Sequence, residues 1–127
     1  MTDQHESTRV HWVSSNTADN VRFLGMSLLA ITIWAVGMPL AFFAAGQGSG
    51  PAGTGLFVAS CAVGLVLWVS TFTTVGRLRA LASGLPEGIS DMAFSRNFQA
   101  NPWFAFAFLF TAVHIGIIVG HGIVLLG

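Results

Sequence analysis

Residues 102–127 read PWFAFAFLFTAVHIGIIVGHGIVLLG, with no charged side chain among them. As a helix at ~1.5 Å per residue the stretch reaches roughly 39 Å, more than the ~30 Å hydrocarbon core of a bilayer. Pro102 follows Asn101 and suits the first turn of a helix, where a missing N–H costs nothing. Trp103 then falls where an interfacial aromatic belongs. The stretch predicts a transmembrane helix, and with it a lipid solvent for the rest of the chain.

The remainder agrees. The 127 residues are 54% hydrophobic and 8% charged, against about 25% charged in an ordinary soluble domain. No charge falls between Arg22 and Arg77, and none after Arg96. Two further spans take up the first of these uncharged blocks, at residues 21–46, with Arg22 at its edge, and 56–76, separated by a glycine-rich turn over 47–55 (QGSGPAGTG). Pro39 should kink the first span, because its ring removes a donor and crowds the carbonyl four residues back. A cleavable leader is the competing reading of that run. Its length, the absence of a distinctly basic start and Phe43, three residues before a cut after Ala45, all weigh against it. On the second span, Ser60 and Gly64 at i,i+4 suit close helix packing. The fold class is therefore an all-α integral membrane protein with three transmembrane helices.

Residues 1–20 read as a short polar arm, with Asn16, Thr17, Asp19 and Asn20 as candidate caps for the first span. Residues 77–101 form the one long loop, broken around Pro86 and carrying a short amphipathic turn that Ser90 caps, with Ile89, Met92, Ala93 and Phe94 on its apolar side. The arginines decide orientation: Arg9 and Arg22 precede span one, and Arg77, Arg79 and Arg96 lie between spans two and three. By the inward bias of such charges the N-terminus and the long loop face the cytoplasm and the C-terminus faces out. The bacterial cytoplasmic membrane is the expected location. Formal net charge is zero, which gives nucleic acid no electrostatic purchase. Cys61 is the only cysteine, so no intrachain disulfide forms.

The chemistry-bearing residues sit in the third span. On a wheel of 100° per residue, His114 and His121 lie about 20° apart, on a face with Trp103, Ala107, Phe110 and Ile117. Ala112, Gly116 and Gly120 form a small-residue ladder roughly 150° away, the pattern that lets a second helix approach closely. Histidine inside a membrane marks a site or a polar contact. His114 and His121 are accordingly the candidate cofactor-contacting residues: ligands to a haem b or a chlorophyll-type magnesium, hydrogen-bond partners of a quinone or lipid headgroup, or bonds to a neighbouring helix. Seven residues along a helix is ~10.5 Å, too far for both imidazoles to share one metal ion at ~2 Å bonds. Met38, Cys61 and His121 fall at similar depth in the outer half of the membrane and form a soft set suited to copper, but methionine and cysteine are ordinary apolar filler in such helices, and no metal site is assigned.

In layout, three spans in a short chain with histidine inside one of them, the sequence resembles the membrane anchor subunits of succinate dehydrogenase and fumarate reductase and small accessory subunits of terminal oxidases. The likeness is architectural: the anchors usually carry their haem-bearing histidine on the second span, which has none here, and no family is assigned on it. The expected function is a small membrane-embedded subunit of a larger respiratory or electron-transfer complex, in contact with the lipid bilayer and other membrane subunits. Two alternatives stand beside it, a homo-oligomeric channel or transporter with pore-facing histidines, and a redox protein with its own cofactor.

Overall fold

A computed structural model describes residues 2–44, 46, 50–85, 90 and 93–127, and within these the side chains of 2, 3 and 94 are outside the description. The described chain is helical: α1 spans Thr2–Ala44, α2 Pro51–Ser83, α3 Ala93–Ala100 and α4 Trp103–Leu126. Three of these helices, α1, α2 and α4, are long and apolar enough to cross a membrane. In the most apolar windows of α1, α2 and α4 only 22%, 17% and 17% of residues are buried within the chain. The apolar surface left over faces outward, which water would penalise and a bilayer accepts.

The helices run up, down and up. α2 packs along both α1 and α4, while α1 and α4 meet over a shorter stretch. Each contributes one seam of inward residues in steps of three and four. On α1 it is Leu24, Ser27, Ile31, Trp34, Met38 and Phe42; on α4 it is Ala107, Thr111, His114, Ile118, His121 and Leu125. On α2 the seam runs through Ser60, Gly64, Leu67, Thr71, Thr74 and Leu78. Steps of three and four keep each seam on one face of its helix. On α4, Thr111 and Ile118 join the histidines and Ala107, and Phe110 and Ile117 are half-buried as they are.

Helix limits differ from the sequence expectation in three places. Residues 2–20 are not a separate arm but the first turns of α1. The Ser, Thr and Asn side chains there do not cap the span. They bond back along the helix instead, Asn16 Nδ2 to the Trp12 carbonyl at 3.0 Å, Thr17 Oγ1 to Val13 at 2.8 Å and Asn20 Nδ2 to Asn16 at 2.8 Å. With neither Gly nor Pro in that stretch, nothing stops the helix. α2 is likewise longer than 56–76: Pro51 opens it at a position where its lost N–H is harmless, and it ends only at Gly84, whose N–H bonds the Ala80 and Leu81 carbonyls. Of the 47–55 turn, residues 47–49 lie outside the described residues, as do 86–89, 91 and 92 of the long loop, Ile89 and Met92 among them. After Ala44, Gly46 adopts φ 63°, a left-handed value that suits glycine past a helix end. At the other end of the bundle α3 lays a buried Ser95 inward and leaves Arg96, Asn97 and Gln99 exposed.

Candidate functional site

The centre of the bundle is polar, and it is built around Trp34. Its indole lies between the two imidazoles, 5.8 Å from the His114 ring and edge-on to His121 at 5.5 Å. The seven-residue spacing, too long for a shared metal, is about the separation that admits one indole between two rings. Opposite, α2 supplies no side chain: a Cβ at Gly64 would stand 2.6 Å from the Trp34 ring, so glycine is what lets α1 approach there. Trp34, His114 and His121 are 4%, 2% and 3% exposed, which makes this a closed site within one chain.

Hydrogen bonds fix the roles of His121. Its Nε2 lies 3.0 Å from the Ala35 carbonyl. A carbonyl only accepts, so Nε2 carries the proton, and in the neutral ring Nδ1 is left to accept. Ser60 meets it, donating its hydroxyl proton to Nδ1 at 2.5 Å. Ser60 Oγ in turn accepts the Trp34 indole N–H at 2.9 Å. Three helices are thereby joined by one chain of bonds in which each polar atom has its partner, the condition for a polar group to be tolerable in lipid.

The choice of Ala35 has a local cause. Its helical partner would be the N–H four residues on, and that residue is Pro39, which has none. His121 supplies from α4 the donor that the proline withdrew from α1. Freed carbonyls in transmembrane helices need such a substitute.

His114 is arranged differently. Its Nδ1–H donates to the Phe110 carbonyl of its own helix at 2.7 Å. Nε2 then holds a lone pair, buried and without a hydrogen-bond partner among the described residues. In this tautomer it accepts from a hydroxyl or binds a metal, and it has no proton to give a quinone carbonyl. Thr71 Oγ1, on α2, is also buried without a partner among them. Its neighbours Thr73 and Thr74 bond back to Val69 and Ser70. Nearer the arginine-bearing end, the Trp68 indole N–H donates to Thr111 Oγ1 at 2.9 Å, and Thr111 passes its own proton to Ala107.

The structure thus brings His114 and His121 together around one indole but gives them unlike environments. Both nitrogens of His121 are occupied, which leaves it no lone pair for a metal in this arrangement. The ladder lies elsewhere. Ala112 and Gly116 are exposed and Gly120 half-buried, and a Cβ built on Gly116 or Gly120 meets nothing within 4 Å. Within the chain close approach is provided by other glycines: Gly64 against Trp34, Gly53 against the Leu125 backbone, and Gly122 with Phe57 3.3 Å from its would-be Cβ. Sequence reasoning singles out the Ser60 and Gly64 pair but not Trp34, whose signal is a lone indole shortly before a proline. Among the described residues no three His, Cys, Asp or Glu side chains gather as a metal site.

No protein-family model matches the chain, and neither a curated protein nor a solved structure shows detectable similarity to it.

Proposed function

We propose that this chain is a small membrane-embedded subunit of a larger multi-subunit membrane complex of the respiratory, electron-transfer kind, serving there as a helical scaffold. It sits in the cytoplasmic membrane of a bacterium with its N-terminus and arginine-bearing end inside and its C-terminus outside. The observation that carries the reading is the ladder Ala112, Gly116 and Gly120, turned away from the chain's own seam and open. In lipid, apolar surface alone does not drive helices together, and association depends on backbones coming close over small residues. A ladder that its own chain leaves unused fits a helix from another subunit.

The test is native purification in mild detergent. Wild-type protein should arrive with partner chains, and Gly116→Leu with Gly120→Leu should arrive without them while keeping its helix content, since the new side chains project into open space. A monodisperse lone monomer from the wild type would count heavily against the proposal.

A second reading, contact with a haem b or a quinol, is favoured by the unpartnered lone pair on His114 Nε2. That atom is closed off by the chain's own side chains, so such a group reaches it only if the seam opens. A reduced-minus-oxidised visible spectrum of the native assembly, unchanged in His114→Phe, would remove it. A pore between copies of this chain draws no support from the histidines, which lie inside the seam of a single chain.

A further inference from the structure

At the arginine-bearing end, α2 and α4 leave a groove of about 150 Å³ walled by Phe72, Val75, Gly76 and Arg79 on one side and Trp103 and Phe104 on the other. Gly76 makes it: a Cβ built there meets nothing within 4 Å, so the trough is the space a side chain would have taken. The groove changes character along its length. Phe72 and Phe104 form an apolar upper part, with Phe104 81% exposed. The lower part ends at Arg79, an exposed cation with no ion pair among the described residues, where Arg22 is the arginine paired, with Asp19. Gly76 directly precedes Arg77, the first charge after the long uncharged stretch, so the groove straddles the boundary between hydrocarbon and headgroups.

Size and charge together select an occupant. A helix is about 10–12 Å wide with its side chains and does not enter such a space; a hydrocarbon chain does. A guanidinium matches phosphate oxygens in a two-pronged hydrogen bond. No carboxylate pairs with Arg79 among the described residues, so a headgroup that brings its own ammonium is the poorer match and a net negative one the better, while Arg77 lines a separate hollow with Trp12 and Asn16 of α1. We propose that this groove is a binding site for one anionic phospholipid, its phosphate on Arg79 and an acyl chain along Phe72, Gly76 and Phe104.

Trp103 in the wall reports occupancy. The full chain is reconstituted in phosphatidylcholine vesicles containing a small fraction of phosphatidylglycerol with brominated acyl chains, or the same fraction of brominated phosphatidylcholine. Tryptophan quenching should be greater with the anionic lipid, and Trp103→Phe should remove the excess. Arg79→Gln should weaken the apparent affinity about fivefold, the worth of one arginine at an anionic surface. Gly76→Leu should abolish the excess with helix content unchanged, and Arg77→Gln should leave it in place. Equal quenching by the two lipids overturns the site. So does an excess that survives Gly76→Leu in folded protein, or one lost equally in Arg77→Gln and Arg79→Gln, which would reduce it to general surface charge.

Discussion

His121 shows how one side chain can mend a backbone defect on another helix. Pro39 leaves the Ala35 carbonyl without its helical donor, and the His121 Nε2–H takes that place at 3.0 Å. His121→Phe should therefore cost more than lost packing. It strands a carbonyl and the Ser60 hydroxyl in a low-dielectric interior, about 1–3 kcal/mol for a group left unpaired. The cost should shrink when Pro39→Ala is introduced first, because alanine restores an N–H to that carbonyl. A double-mutant cycle on unfolding in detergent measures the difference, and interacting partners of this kind couple by about 0.5–3 kcal/mol. Equal cost in both backgrounds would show that the bond and the proline are unrelated. The two histidines differ on this account: His121 is consumed by structure, and His114, with its proton committed to Phe110, keeps the one open imidazole lone pair of the pair.

Packing of α1 on α2 turns on Gly64. Its would-be Cβ stands 2.6 Å from the Trp34 ring, which cannot swing away without giving up its bond to Ser60 and its place between the imidazoles. Gly64→Ala should destabilise the bundle by about 1–3 kcal/mol, the usual cost of forcing a methyl into a packed core. Thermal unfolding in detergent reads this directly, with Gly25→Ala as the comparison, since a Cβ there meets nothing within 4 Å. An equal effect at the two positions would show that helix propensity and not the Trp34 contact sets the result. The same elements explain what the sequence could and could not disclose. Three spans were legible because uncharged apolar runs of that length have one physical solution in lipid. The helical character of residues 2–20 was not, since Ser, Thr and Asn read equally as caps or as side chains bonded back to the previous turn, and the structure has the second. The histidine spacing excludes a shared metal. What it contains instead, an indole from the first helix, is a tertiary fact that no local pattern encodes. For the ladder, the residues were visible but the side of the bundle they would face was not.

At the scale of the molecule, the charges and the apolar belt make a single claim about placement in a membrane. All five arginines lie on the segments that one end of the bundle presents: Arg9 and Arg22 on α1 before its apolar run, Arg77 and Arg79 on α2 after its own, and Arg96 on α3. The opposite end carries no charged side chain in residues 23–76 or 97–127. Arginine-bearing segments near span ends are retained on the cytoplasmic side, and the bias acts through positive charge and not net charge, so Glu87 and Asp91 do little to offset it. Because α1 extends as one helix from Thr2, its polar first turns should project inward from the bilayer as a continuation of the span. A cysteine at Ser7, in a Cys61→Ala background, should then react with a membrane-impermeant maleimide only in inverted vesicles, and a cysteine appended after Gly127 only in intact cells. Replacing Arg77, Arg79 and Arg96 together with Gln removes three of the five positive charges from that side, and should produce a mixed population in which both positions label from both sides. A uniform orientation in the triple variant would mean that something other than arginine placement sets the insertion. Labelling of both wild-type positions from the same side would mean an even number of crossings, and one of the three apolar helices would then have to lie along the membrane.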